Sequence, residues 1–371
     1  MKILTILGAR PQFIKAAAVS RAIRKHNAQI HNKAIHEVIV HTGQHFDANM
    51  SDVFFKQLNI PLPNHNLGIA NLSHGAMTGR MLEQIEVTIN KEKPDWVLVY
   101  GDTNSTLAGA LAASKLNVPV AHVEAGLRSH NMLMPEEINR VLTDRVSRIL
   151  FCPTQAAVCN LITEGYPFSL HKESLQIVIN VGDVMFDVTC YYRERAVETV
   201  NYSNWGLKEK QYALCTLHRA ENTNDLERLK AILSALREIS KKCQVVLPLH
   251  PRTRNILATQ GNQHWLDGLM TLDPLSYLEM QRLEMGAYSI LTDSGGIQKE
   301  AFFHKVPCIT LRDETEWIET VELGWNHIVG ANRELITAAF NKIEPPSAQS
   351  EAPYGVGDAA ERIVTKLCEE A

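Results

Sequence analysis

The chain has 371 residues, 45% of them hydrophobic and 21% charged, with a net charge of −4. At about 100–200 residues per domain, that length points to two globular domains with sizeable cores. The mildly acidic balance argues against a chain built around nucleic acid or an anionic membrane surface, so any anion site must be local. Seven scattered cysteines without a CxxC pair suggest neither a disulfide framework nor a zinc cluster, and they fit a reducing cytoplasm. The apolar start is too short for a secretory signal, and no apolar run nears the about 18 residues of a membrane span.

Taken in chain order, residues 3–7 read as a buried strand, followed by a helix over 11–25 with Pro11 in its first turn. Further strands are expected at 37–41, 95–100 and 118–123, with helical stretches between them. Residues 166–174 are irregular and read as a linker. The second half repeats the pattern, with strands at 212–217, 244–249, 289–292 and 307–311 and helices at 226–240 and 296–304. A polar, proline-bearing loop at 345–353 precedes a last helix at 358–370. Continuous apolar strands alternating with helices argue parallel sheets covered on both faces. The expected fold is therefore α/β, with two Rossmann-like parallel-sheet domains facing a cleft. Ligands of such sheets bind at the carboxyl ends of the strands, so the residues after each strand are the candidates.

After the first strand stands Gly8-Ala9-Arg10-Pro11-Gln12-Phe13-Ile14-Lys15, a glycine turn into a helix N-terminus with two cations. It is either an anion site or a plain strand–helix connection. After the second comes His41-Thr42-Gly43-Gln44-His45-Phe46-Asp47, in which Thr42 or Asp47 could simply cap a helix. Asp102 follows the third strand and could be a cap or a catalytic carboxylate. Glu124 follows the fourth and has no equally good capping explanation. Pro135-Glu136-Glu137 opens a helix, where acids ordinarily complement the dipole. Together Asp102, Glu124 and Glu136 fall at one edge of one sheet, and converging carboxylates raise one another's pKa and suit proton transfer. In the second half, His218-Arg219, His250-Pro251-Arg252 and Asp293-Ser294-Gly295-Gly296 end strands. The Ser-Gly-Gly turn before a helix combines a hydroxyl, unhindered N–H groups and a helix dipole, with Glu300 about one turn further on.

In order and number these motifs resemble the non-hydrolysing UDP-N-acetylglucosamine 2-epimerase family, of glycosyltransferase-B architecture. The resemblance covers nearly the whole chain, from Gly8-Ala9-Arg10-Pro11 through Gly101-Asp102-Thr103 and His122-Val123-Glu124-Ala125-Gly126-Leu127-Arg128 to Pro353-Tyr354-Gly355. It implies a first domain of residues 1–170 with 355–371, carrying the acid–base carboxylates, and a UDP-binding domain of residues 171–354. It also implies that Asp102, Glu124 and Glu136 exchange protons, that Lys15 is essential, and that His218 assists the leaving group. Arg10 would hold the nucleotide. Ser294, Gly295 and Gly296 would hold phosphate, and Glu300 the ribose. Gln12, His45, Arg140 and Arg312 are further candidates for substrate contact. The implied enzyme is a cytoplasmic homodimer that needs no metal and no cofactor.

Some positions depart from the common pattern: Gln12 for glutamate, Lys299 for an acid after Ile-Gln, and Trp317 within Thr315-Glu316-Trp317-Ile318-Glu319. These resemble the branch acting on UDP-2,3-diacetamido-2,3-dideoxy-D-glucuronate. An acidic sugar would be repelled by a carboxylate at position 12, and an amide there removes the repulsion. Plain UDP-N-acetylglucosamine 2-epimerisation, with or without hydrolysis, and glycosyl transfer on the same fold are the alternatives. The carboxylate trio speaks against transfer, which needs no base at carbon 2.

Overall fold

The computed structural model describes residues 1–29, 34–44, 55, 59–171, 174–346 and 352–371. The chain divides into two compact units, residues 1–188 with 352–371, and residues 189–351.

In the first unit the strands are β1 (Lys2–Leu7), β2 (His36–His41), β3 (His65–Asn66), β4 (Trp96–Tyr100), β5 (Val120–Val123) and β6 (Ile149–Cys152). A small antiparallel ribbon, β7 (Ser169–His171) with β8 (Ser174–Leu175), precedes β9 (Ile177–Asn180). The main sheet is parallel throughout, in the order β3-β2-β1-β4-β5-β6-β9. Ile3, Leu4, Ile6, Leu7 and the run Val97-Leu98-Val99-Tyr100 are wholly buried, as strands covered on both faces must be. Each such Val, Leu or Ile contributes about 1.5–3 kcal/mol of transfer free energy. Helix Asn104–Lys115 lies so close to the sheet that a Cβ at Gly109 would stand 3.1 Å from Val99 and 3.2 Å from Ile6, which explains its run of small residues. The register pairs Leu7 with His41 and Tyr100 with Val123, so the turns after β1, β2, β4 and β5 share one edge.

The second unit holds β10 (Tyr212–Thr216), β11 (Gln244–Pro248), β12 (Met270–Leu272), β13 (Ser289–Thr292), β14 (Cys308–Thr310) and β15 (Asn326–Ile328). They form a parallel sheet in the order β12-β11-β10-β13-β14-β15. Leu229, Leu233, Leu236 and Ile336 cover one face, and Leu283, Ala301 and Val306 pack against the other.

The last helix, Ala359–Glu369, belongs to the first unit. Asp358 makes no capping bond there; the distant Asp187 carboxylate accepts from Ala359 N at 3.2 Å and Ala360 N at 2.7 Å instead. The segment 166–174, read as a linker, lies within the first unit and includes the buried Tyr166 and the β7–β8 ribbon. The chain leaves this unit after Val188, within helix Val184–Thr199. No described helix is long and apolar enough to cross a membrane.

Candidate active site

The site of the first unit is assembled at the shared edge of β1, β4 and β5. Helix Asn104–Lys115 is capped by Thr103, whose hydroxyl accepts from Thr106 N while Thr106 returns a bond to Thr103 N. Asp102 is therefore not the cap, and its carboxylate is left for other work. Arg140 Nη2 donates to it at 2.5 Å, and Asn139 Nδ2 donates to its backbone carbonyl at 2.9 Å. Both donors come from helix Pro135–Val146, whose first turn carries Glu136, half-exposed and without a hydrogen bond to any described residue.

Glu124 follows β5 with φ +74°, a left-handed conformation costly for a residue with a side chain. Its backbone N–H and that of Ala125 both donate to the Phe151 carbonyl. Its carboxylate forms an ion pair with Lys15, and both side chains are about nine-tenths buried. A Cβ on Gly101 would lie 3.2 Å from Lys15 Nζ and 3.3 Å from Glu124 Oε2, so this pair sits directly against the residue before Asp102. The arrangement differs from the expected crowd of repelling carboxylates: Asp102 and Glu124 are each set against a cation.

Three of the expected substrate contacts have their polar groups engaged within the protein. Gln12 is 1% exposed, and its amide is consumed internally. Oε1 accepts from Gly8 N at 2.7 Å and Ala9 N at 2.9 Å, while Nε2 donates to the Tyr100 carbonyl at 2.8 Å and to Thr106 Oγ1 at 2.9 Å. It ties the β1 turn to the end of β4 and does not face a ligand, so position 12 says nothing about the charge of the sugar. Arg140 is likewise buried, with Nη1 on Glu137 Oε2 at 2.6 Å and Nη2 on Asp102, so it holds the Asp102 carboxylate. Arg312, wholly buried, is bidentate on Glu316 at 2.9 and 3.0 Å. Arg10 is partly exposed at the first residue of helix Arg10–Gln29. His45 lies outside the described residues.

In the second unit, Ser294 is the N-cap of helix Gly295–Phe303, yet its hydroxyl makes no capping bond. A Cβ at Gly295 would meet Trp317 Nε1 at 3.3 Å, so the loop held by Arg312–Glu316 backs this turn. A Cβ at exposed Gly296 would meet nothing nearer than Ser294 Oγ at 3.8 Å. The protein itself thus has room for a side chain there, whereas a ligand approaching the backbone N–H groups would not. Glu300 is buried further along the same helix. His218, partly exposed after β10, has Nδ1 3.3 Å from Asp293 Oδ1. Burial lowers its pKa, with the Asp293 charge opposing. Fully buried Asp293 also accepts from the N–H groups of His218 and Arg219 and from Asn222 Nδ2.

Sequence reasoning gives no role to Asp293 and Glu137, which stand inside quoted motifs, or to Asp144, within helix Pro135–Val146; the available signal for the first two is an acid among the polar groups that end a strand or open a helix. Glu137, 1% exposed, accepts from Ser129 N and His130 N and shapes the loop before its helix.

Two parallel α/β units, one with cation-paired carboxylates at its strand ends and the other with a Ser-Gly-Gly turn and a histidine–aspartate pair, define an enzyme of the sugar-nucleotide class. The family model described as UDP-N-acetylglucosamine 2-epimerase matches residues 28–368, and the chain belongs to that family. It is an isomerase, a UDP-sugar 2-epimerase. It is 53% identical to the UDP-2,3-diacetamido-2,3-dideoxy-D-glucuronate 2-epimerase of Pseudomonas aeruginosa, over 99% of both chains. It is 50% identical to a UDP-N-acetylglucosamine 2-epimerase homolog of Methanococcus maripaludis, again over 99% of both. The crystal structure of Methanocaldococcus jannaschii UDP-GlcNAc 2-epimerase in complex with UDP-GlcNAc and UDP is similar at a TM-score of 0.89, with 43% identity over 100% of both chains.

Proposed function

We propose that this epimerase converts UDP-2,3-diacetamido-2,3-dideoxy-D-glucuronate to its manno epimer, as a cytoplasmic homodimer supplying bacterial surface polysaccharide (O-antigen). The observation carrying this choice of sugar is the 53% identity, over 99% of both chains, to a relative of that name. The departures at Lys299 and Trp317 point the same way. They meet in the structure, where Lys299 Nζ lies 3.9 Å from the centroid of the Trp317 ring, behind the Ser-Gly-Gly turn. Gln12 lends no support, because it is spent inside the fold.

The proposed reaction is elimination and re-addition. A proton at carbon 2, next to a C–N bond, is too weakly acidic to leave a free carbanion. One carboxylate of the Asp102, Glu124 and Glu136 set takes the proton, the C2–H electron pair becomes the C1–C2 double bond, and the C1–O pair departs with UDP. A neutral glycal remains. A second carboxyl of the set, in its protonated form, gives its proton to the opposite face, and the UDP oxygen re-forms its bond to C1. Lys15 balances the charge of Glu124, and Arg140 that of Asp102. Ser294, Gly295, Gly296 and the dipole of their helix hold the departing diphosphate, assisted by His218 and Arg10. Glu300 would accept from the ribose.

The sugar is tested by the ratio of kcat/KM for the diacetamido-uronate to that for UDP-N-acetylglucosamine. A ratio of about 10⁴ is expected, the order by which a site built to bond polar substrate groups rejects an analogue lacking them. Equal turnover would overturn the choice of sugar and leave the epimerase chemistry standing.

A further inference from the structure

Beneath the turns that carry Asp102 and Glu124 lies a fully buried pair with no part in the proton transfers above. His122, the third residue of β5, and Asp144, on helix Pro135–Val146, have wholly buried side chains. His122 Nδ1 lies 2.7 Å from Asp144 Oδ1, and its Nε2 lies 2.7 Å from the carbonyl oxygen of Gly101. A carbonyl only accepts, so Nε2 carries a hydrogen and donates it to the residue immediately before Asp102. The second oxygen of Asp144 accepts from Gly126 N at 3.1 Å and from Arg128 Nη1 at 2.8 Å. Arg128 is itself bidentate on Glu164, at 2.7 and 2.8 Å. Burial raises the pKa of the Asp144 carboxyl, but the bonds and charges of His122 and Arg128 outweigh it and leave the group below its ordinary value.

One carboxylate thereby reaches both turns, directly at Gly126 and through an imidazole at Gly101. Both turns pass through the left-handed region, which Gly101 (φ +61°) and Gly126 (φ +80°) adopt freely and Glu124 (φ +74°) does not. Such a conformation is costly for a residue with a side chain and persists only where the surroundings over-determine it. Both ring nitrogens of His122 and both carboxylate oxygens of Asp144 are bonded, as a buried polar network must be to avoid a desolvation penalty.

We propose that His122 and Asp144 are positioning residues that lock the Asp102 and Glu124 turns at the spacing proton transfer at carbon 2 requires. The proposal rests on the reading that Asp102 and Glu124 move that proton. In H122Q the amide nitrogen can stand where Nε2 stood and still donate to the Gly101 carbonyl; in H122N it stands nearer the position of Nδ1 and cannot.

The experiment compares H122N, H122Q, D144N and the double variant H122N/D144N, with Asp102→Asn as control. It measures exchange of the carbon-2 proton in D2O, KM, UDP affinity by calorimetry and thermal unfolding. Misplacing catalytic groups by about 1 Å costs about 10²-fold in rate, so H122N and D144N should each lose about that in kcat. KM and UDP affinity should stay within about threefold, as for an interaction made only in the transition state. H122Q should recover part of the loss, and the double variant should be no slower than the worse single, since the lock is broken once. Wild-type kcat in H122N, or equal losses in H122N and H122Q that track the unfolding temperature, would overturn the proposal. Exchange retained by Asp102→Asn would overturn the underlying reading as well, and that control alone separates the two failures. Should the variants not fold, hydrogen exchange of the wild-type protein carries the test: the Gly126 amide should be among the slowest in the first unit, and rapid exchange there would overturn the lock.

Discussion

Substituting Gly101 by alanine probes the centre of the first unit's site. Gly101 has φ +61°, its N–H donates to the Val123 carbonyl at 3.0 Å and its own carbonyl accepts from His122. An L-residue in that conformation costs about 1–2 kcal/mol. The new Cβ would stand 3.2 Å from Lys15 Nζ and 3.3 Å from Glu124 Oε2, a few tenths of an ångström inside ordinary contact. Both side chains of that ion pair are about nine-tenths buried, so neither can swing aside into solvent. Overpacking adds about 1 kcal/mol, the lower end of its usual range, for a total of roughly 2–3 kcal/mol. For a unit of this size that lowers the unfolding temperature by about 4–12 °C. Displacing the Glu124 carboxylate by a few tenths of an ångström should cost roughly tenfold in kcat, scaled from about 10²-fold per ångström. Scanning calorimetry gives the first quantity and carbon-2 exchange the second, with UDP affinity unchanged. An alanine variant with both wild-type stability and wild-type kcat would refute the packing of Lys15 and Glu124 against this turn.

Three further outcomes follow from the same geometry. Asp102→Asn and Glu124→Gln should each abolish carbon-2 exchange while binding UDP normally by calorimetry; full activity in either removes its assigned role. Gln12→Glu should leave the preference between the two UDP-sugars unchanged, because the side chain faces no ligand, and should destabilise the fold by about 1–3 kcal/mol, since a carboxylate cannot donate to the Tyr100 carbonyl; a shifted sugar preference without destabilisation would contradict the buried placement. Burial raises the Asp187 pKa to about 6, against the N–H bonds of Ala359 and Ala360 and despite the usual value of 3.8. A raised carboxyl pKa favours the folded state below about pH 4, and that contribution is lost as pH rises through about 6. Asp187→Asn should therefore become more stable relative to the wild type between pH 4 and 7, by about 1–3 kcal/mol in all; a flat difference over that range would refute the shift.

What was legible in the sequence was what periodicity and strand ends report. The apolar strands β1, β4, β10 and β13 and the polar turns after them declare two parallel sheets and their active edges. Strands β6, β9, β12 and β15 are three or four residues each, too little pattern to separate them from loops; β5 and β13, equally short, are legible through the polar motifs that follow them directly. The side-chain roles at the edge were less legible still. Gln12 and Arg140 look like ligand contacts in a motif, but their partners (Tyr100 and Thr106 for one, Asp102 and Glu137 for the other) include residues about ninety or about forty positions away for which spacing gives no clue. The sequence leaves open whether Asp102 caps helix Asn104–Lys115; the cap is Thr103, one residue further on, and that one residue makes Asp102 available for chemistry.

The most direct test of the central claim is incubation of the enzyme with the UDP-linked diacetamido-uronate in D2O, followed by NMR at carbon 2. The elimination and re-addition account predicts deuterium at carbon 2 in both epimers with UDP still attached at equilibrium. Epimerisation with the original proton retained would contradict it, and so would accumulation of free UDP in step with product.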